Sequence, residues 1–409
     1  MTRRHRVPLW LMGLTNSSYG LYAGIQVFAL PQLLAARHIP EATIAAMSAV
    51  ELSPGFWAFL LSPVLDVRFS RRWYAVACAS IAAAMLFLAM INLGHILLVE
   101  AAITLGFFTA YLYQSAIGGW LSSITTFEEE TSLSIWMTIG NAGGGALMAV
   151  LCGEIVGNFS VHVAAVLLAV IVLLPMVVFP FMPAPGPDRR LASESFGQFF
   201  SELVALVKRR EILIAVILFI SPAGSFALTN FLAGLGADYH ASPRSVSLIA
   251  GLGAGIAGIF GSFLFKPVSR LLPLRPLYVA IGFGGSLFTL ALITLARTPT
   301  AFAVALVGEN LLQALAITAC TAITFDTIGR NNPLASTTFC FLGSAYGLPL
   351  SYMLYVDGVG YSRFGVAGGY AADALCGVTA SILLGLMLYW LSRRARSLSQ
   401  TVIRPDLEA

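Results

Sequence analysis

Charged residues are scarce in this sequence: Asp, Glu, Lys and Arg make up 10% of its 409 residues, where a soluble domain carries about 25%. So few cannot build a water-facing surface, and with 58% hydrophobic residues the solvent of this chain is lipid. Histidines are equally sparse: His5, His38, His95, His162 and His240 stand at termini, in loops or at the ends of apolar runs. That placement excludes a His-based catalytic or metal cluster at membrane depth. The five cysteines, Cys78, Cys152, Cys320, Cys340 and Cys376, fall inside apolar runs and read as small hydrophobes, with neither disulfide nor metal spacing. A phosphate-cradling GxxxxGK[ST] loop is missing, as is a soluble domain to hold one, so any work must draw on a gradient rather than on ATP bound by this chain. No basic stripe runs along a soluble face, which excludes nucleic acid as a partner. No cofactor and no metal are expected.

What is present is a succession of apolar runs. They lack the ten-residue alternation of a membrane barrel, and lipid obliges the backbone to satisfy its own hydrogen bonds, so the runs are helices. Polar punctuation places them near 9–34, 43–63, 74–92, 97–121, 132–156 and 161–182, then 211–234, 245–268, 277–296, 299–325, 334–357 and 370–391. The expected fold is an all-α membrane protein of twelve spans in two pseudo-symmetric six-helix bundles. With both termini on one side, that side holds 19 of the 23 basic residues, the other only Arg37, Arg244, Arg297 and Arg363. By the positive-inside rule both termini are cytoplasmic. Arg3, Arg4 and Arg6 precede a first run of about 25 residues that lacks a small-residue cleavage site and reads as an uncleaved span rather than a signal peptide.

The bundles are expected at 1–182 and 211–392, with a linker at 183–210 and a tail at 393–409. The linker opens with Pro183, Pro185 and Pro187 and then carries Phe196, Phe199, Phe200, Leu203 and Leu206 at helical spacing. An amphipathic helix on the cytoplasmic membrane surface fits, with Lys208, Arg209 and Arg210 at the lipid headgroups. Across the linker the sequence repeats: Ser62-Pro63-Val64 through Arg71 and Tyr74 corresponds to Lys266-Pro267-Val268 through Arg275 and Tyr278 at a constant offset of 204 residues. Parallel repeats are a transporter device, because two rocking bundles expose a site between them to each side in turn.

The loop between the second and third spans reads Ser62-Pro63-Val64-Leu65-Asp66-Val67-Arg68-Phe69-Ser70-Arg71-Arg72. It resembles the signature of the major facilitator superfamily, an Asp and a basic cluster at this position, though without the usual glycines. Asp66 is placed to pair with a basic group or a helix end on a neighbouring span and lock one conformation, with Arg71 and Arg72 as further gating candidates or as headgroup anchors. Ala29-Leu30-Pro31-Gln32-Leu33-Leu34 together with Ser62 to Asp66 is similar to a narrower subgroup: AmpG-type muropeptide permeases, acetyl-coenzyme A transporters and siderophore permeases. Where AmpG-type proteins have Gln-Asp on the fourth span, this chain has Tyr113-Gln114, so the acid of that pair is absent.

Ionisable groups deep in lipid are costly and usually face a cavity. Glu51, followed by Pro54 and Gly55, and Glu309, beside Asn310, qualify as proton-coupling carboxyls, because a carboxyl in a desolvated site can take up and release a proton. Glu100, Glu154, Asp238, Asp357 and Asp373 fall near expected external span ends and read as solvated caps. Glu128, Glu129 and Glu130 read as a solvated cytoplasmic turn. Polar and aromatic side chains recur at intervals of three and four on the fourth span, at Glu100, Thr104, Phe107, Tyr111, Gln114 and Gly118. The expected substrate-binding set is Asn16, Tyr19 and Gln26 on the first span, Tyr111 and Gln114, Asn141, Asn230, Asn310 and Gln313, and Tyr346; the alternative is hydrogen bonding between packed helices. Gly253-Ala254-Gly255-Ile256-Ala257-Gly258 matches a dinucleotide fingerprint in letters alone; inside an apolar span it reads as a small-residue face for close helix approach.

These readings give a secondary transporter, not an enzyme, monomeric, in the cell's inner (plasma) membrane, with a small-molecule substrate, protons and membrane lipids as partners. The buried carboxyls Glu51 and Glu309 imply proton coupling, and the resemblance implies import of a medium-sized amphipathic solute such as a muropeptide or a siderophore. Export of drugs or metabolites, and an intramembrane enzyme, are the alternatives.

Overall fold

The computed structural model describes residues 7–67, 69–184, 201, 204–329 and 332–402. Among these residues the secondary structure is helical throughout. Nine helices are long and apolar enough to cross a membrane. The last of them, Ala335–Val402, is two spans joined through non-helical backbone at Phe364 and Gly365, where Gly365 takes φ 64°, a left-handed conformation that glycine adopts without steric cost. Two further spans are broken into short pieces and escape a length criterion. Span 2 runs as Glu41–Leu52, Pro54–Trp57 and Ala58–Leu60, interrupted where Pro54 cannot donate a backbone hydrogen bond. Span 7 runs as Arg210–Ile220, Pro222–Gly224, Leu228–Leu232 and Ala233–Leu235. The arrangement is consistent with twelve spans.

The others are span 1 (Leu9–Ala36), span 3 (Arg71–Ile91), span 4 (Ile96–Ile124), span 5 (Phe127–Asn158), span 6 (Val161–Phe181), span 8 (Ile249–Val268), span 9 (Leu274–Leu292) and span 10 (Pro299–Ile328). Spans 11 and 12 lie on either side of Gly365. Spans 1 and 8 each contain a π-helical turn, Ile25–Ala29 and Ile249–Gly253. Such turns recur at functional sites because they re-aim side chains within a helix.

Small residues bring backbones together. In the first half, a Cβ on Gly24 would strike the carbonyl of Gly145, and one on Gly20 the carbonyl of Asn141, which locks span 1 to span 5. Between the halves, a Cβ on Gly255 would meet the methyl of Ala146 and one on Gly258 that of Ala142, at 3.1 Å, so spans 5 and 8 touch along a seam without bulk. The small-residue face of span 8 is therefore a close-approach surface. Phe196, Phe199, Phe200 and Leu203 of the linker lie outside the described residues; Leu206 is buried, and Lys208, Arg209 and Arg210 are exposed.

One expectation is corrected. Asp357 and Asp373, read as solvated caps, are 0% and 8% exposed. Spans 11 and 12 continue past both positions and turn at Phe364 and Gly365, so there is no long external loop to carry them into water.

Candidate functional site

A cavity of about 230 Å3 lies between the halves at mid-depth and towards the external side. Span 1 lines it with Gly20, Ala23, Gly24, Val27 and Phe28; span 5 with Thr138, Asn141, Ala142, Gly145, Ala146 and Ala149; span 8 with Ala250, Gly251, Ala254, Gly255 and Gly258; and span 10 with Asn310, Gln313, Ala314 and Ile317. Both π-helical turns contribute to the wall. The lining holds no charged side chain, and its polar side chains are Thr138, Asn141, Asn310 and Gln313. The last two are held in place: the Asn310 amide donates to the Leu306 carbonyl at 2.8 Å, and the Gln313 amide to the Thr229 hydroxyl at 2.9 Å. A wall of glycine and alanine with a few fixed amides suits a solute that presents both apolar and hydrogen-bonding groups.

Of the ten residues expected to bind substrate, Asn141, Asn310 and Gln313 line this cavity. The others are placed differently. Asn16 is buried and donates its amide to the Met137 carbonyl at 3.0 Å, packing span 1 on span 5. Tyr19 and Tyr111 stand with Phe107 in an aromatic group, ring centroids 6.0–6.3 Å apart, and the Tyr111 hydroxyl lies against Gly343 of span 11. Gln26, in the π-turn of span 1, is buried with neither amide atom bonded. Gln114 is half-buried outside the cavity wall. Asn230 is exposed, on the broken span 7. Tyr346 donates to the Gly224 carbonyl at 3.2 Å, tying span 11 to span 7. The polar stripe of span 4 thus contributes nothing to the wall of this cavity, and Thr138 is a lining residue that the sequence did not single out.

Neither expected carboxyl faces the cavity. Glu51 is buried, with Oε1 unbonded, and lies within electrostatic reach of Glu100. Glu309 is 0% exposed and accepts the Thr289 hydroxyl of span 9 at 2.6 Å, with Oε2 unbonded. Adjacent residues on a helix point about 100° apart, so Asn310 reaches the cavity while Glu309 turns into the second half.

On the face assigned to the cytoplasm the halves are bound together. Asp66 Oδ1 accepts from Arg71 Nε at 2.9 Å and from the Ser336 amide at 3.2 Å; Oδ2 accepts from the Thr337 amide and hydroxyl at 2.7 and 2.8 Å. The acid therefore caps the first turn of span 11, where unpaired amides and the helix dipole favour negative charge. Arg71 adds donations to the carbonyls of Gly119 (3.3 Å), Asn332 (3.3 Å) and Pro333 (3.2 Å). Gly119 sits so close that a Cβ there would lie 2.6 Å from the Ser336 nitrogen. Arg72, half-buried, is not among Asp66's partners. Of this arrangement the sequence supplied Asp66 and Arg71; Thr337 and the 332–333 loop gave no local signal.

Comparison with known proteins follows the same lines. The pattern of the Major Facilitator Superfamily matches residues 12–332. An uncharacterized MFS-type transporter, YceJ, of Bacillus subtilis (strain 168) is 30% identical over 181 residues, which is 41% of this chain and 46% of that protein. The aligned part thus spans less than half of that relative's length. Among solved structures, the human organic anion transporter MFSD10 superposes with a TM-score of 0.69 at 14% identity, covering 92% of this chain and 98% of its own. The E. coli fucose:proton symporter FucP gives 0.66 at 13%, covering 92% and 97%. A bacterial homologue of the iron transporter ferroportin in an outward-facing state gives 0.58 at 15%, covering 94% and 98%. At such identities these likenesses speak to the fold, and it is the match over residues 12–332, with the helical architecture, that identifies the function class: the chain belongs to the Major Facilitator Superfamily and is a membrane transporter, not an enzyme.

Proposed function

We propose that the chain is a proton-coupled secondary transporter that carries a compact, uncharged amphipathic solute through the cavity between its halves. The observation that carries this reading is the cavity itself, walled mostly by glycine and alanine with four uncharged polar side chains, and the cross-half bonds that Asp66 makes at the cytoplasmic ends of the helices. In this reading Asn141, Asn310 and Gln313 bind the solute, Asp66 and Arg71 hold the cytoplasmic end shut, and Arg72 anchors the loop. Among the described residues no ion pair joins the buried acids Glu51 and Glu309 to a basic side chain, and they are the type of group that lets a proton gradient bias a conformational change. The narrower muropeptide or siderophore assignment, and with it inward transport, rests on the resemblance of Ala29–Leu34 and Ser62–Asp66 alone. The absence of a charged side chain from the wall described here favours an uncharged solute instead.

The test is a thermal-shift screen of purified protein against an anhydro-muropeptide, a hydroxamate siderophore, acetyl-coenzyme A and neutral amphipathic drugs. A ligand at a hundred times its Kd stabilises by about 2.7 kcal/mol. Stabilisation by neutral compounds, lost in Asn141→Ala and Gln313→Ala, is expected; stabilisation by the muropeptide or siderophore alone would overturn the solute class. In proteoliposomes loaded with the ligand found, Glu309→Gln is expected to abolish uptake driven by a pH gradient while sparing solute exchange. Full acid-driven uptake in that variant would remove Glu309 from the coupling step.

A further inference from the structure

The second half buries more acid than one coupling residue needs. Asp357 of span 11 is 0% exposed with both carboxylate oxygens unbonded, and Glu309 of span 10 has Oε2 unbonded. Helix registers bring these to one place with Asp373. A Cβ on Gly369 of span 12 would lie 3.4 Å from the Asp357 carbonyl oxygen, and one on Gly377, two turns further on, would strike the Ser286 hydroxyl of span 9. Asp373 lies between them on the same stripe, at the spacing of four that keeps residues on one helix face. Thr289, one turn from Ser286, is the residue that donates to Glu309. Each of the three carboxyls lies in the electrostatic field of another.

Other polar groups facing the cluster do not neutralise it. Cys376 of span 12 and Thr289 are uncharged. At the external end Arg297 Nη1 donates to the Tyr239 hydroxyl at 2.6 Å, and that hydroxyl bonds Tyr370 at 2.7 Å. The guanidinium is thus held over the two phenol rings, 5.1 and 5.8 Å from their centroids, and its hydrogen bond goes to Tyr239 rather than to any of the three acids. Three carboxylates cannot all be ionised in one dry pocket without a counter-charge. Among the described residues no group of three or more His, Cys, Asp and Glu is placed to hold a metal ion, these carboxyls included; protonation balances their charge without one.

We propose that Glu309, Asp357 and Asp373 form one proton-holding site inside the second half, apart from the solute cavity, in which the carboxyls share protons directly or through an intervening water. A protonated acid supplies the donor that the unbonded oxygens lack, and each proton taken up from water converts one carboxylate to a carboxyl that donates to its neighbour. The inference deepens the proton-coupled reading and rests on it for its role in transport: Glu309 is then one member of a coupled set, and Asp357 and Asp373 belong to it equally.

The experiment is infrared difference spectroscopy of the solute-free protein in nanodiscs, following the carbonyl stretch of protonated carboxyls through a pH titration in potassium buffer. Wild type and the near-isosteric Asp357→Asn, Asp373→Asn and Glu309→Gln are compared, each checked for an unchanged melting profile. The expected result is a broad, multi-step wild-type titration in which each single substitution shifts the titration of the acids that remain. Independent, additive loss of one band per variant would overturn the shared site. So would a wild-type band that responds to sodium replacing potassium at fixed pH, since the site would then hold a metal cation. The wild-type measurement decides even if a variant fails to fold. If the coupled titration is present but a pH gradient does not drive uptake, the transport reading fails and the site stands; if uptake is acid-driven and the titration is absent, the site fails and the transport reading stands.

Discussion

The loop between spans 2 and 3 and its sequence repeat between spans 8 and 9 make different contacts. At the offset of 204 residues Asp66 corresponds to Arg270, and Arg71 to Arg275. Arg71, 1% exposed, is spent with Asp66 on the first turn of span 11 and the loop before it, both in the other half. Arg275, 26% exposed, reaches Asp326 of span 10 at 3.6 Å, within its own half. The reason lies in the helices opposite. Span 5, the counterpart of span 11, caps itself: Thr126 and Glu129 form a capping box, with the Thr126 amide donating to Glu129 at 2.9 Å. Span 11 draws its cap from across the interface. A helix that supplies its own acceptors needs no acid from its partner, so one loop is bonded across the interface and the other is a surface turn.

The largest effect that tests this contrast is expected from Asp66→Ala. It removes the counter-charge of a buried guanidinium and the acceptor of two helix-end amides, and breaking one side of a buried charged pair costs about 3–5 kcal/mol. Spin labels at exposed Phe127 and Lys266, at the cytoplasmic ends of spans 5 and 8, would show the distance between halves lengthen and broaden. An unchanged distance distribution would mean that the cross-half bonds do not hold this end closed. Next in size is Gly119→Val, which leaves every polar bond partner in place and wedges span 4 from the Ser336 backbone. Overpacking of this kind costs about 1–3 kcal/mol, and the same labels are expected to move part of the way. Thr126→Ala removes the self-made cap of span 5 for about 1 kcal/mol. Its effect is expected in melting temperature alone, with the label distance of the wild type.

Much of the fold was legible because lipid makes the reading simple: apolar length, positive charge on one side and a repeat at constant spacing each constrain the helices independently. Asp66 and Arg71 were legible because a charged loop in a chain with 10% charge stands out. What answers them was not. Thr337 and the carbonyls of Asn332 and Pro333 act through backbone geometry across a gap of more than 260 residues, and no local pattern records that. The cavity wall was hard to read for another reason. Glycine and alanine look the same whether they admit a solute or a neighbouring helix, whereas the larger polar residues of span 4 stand out in an apolar run and lie outside the wall. Asp357 and Asp373 were misread because Ser362 and Arg363 resemble a loop, whereas a single glycine at φ 64° turns the chain without one.

The smallest expected effect is the sharpest control. Arg275→Ala removes an ion pair whose partners are 26% and 35% exposed. Water and salt screen such a pair, and measured values for exposed pairs fall at about 0–1 kcal/mol. Arg71→Ala, at the matching position, leaves Asp66 buried beside the same two amides and is expected to open the cytoplasmic end nearly as far as Asp66→Ala does. If Arg275→Ala widened the label distance as much as Arg71→Ala, the two loops would share the closing force, and the latch would belong to the repeat rather than to one half. If it leaves the distance unchanged, the asymmetry resides where the bonds place it, in an acid that one half retains and a helix cap that the other half lacks.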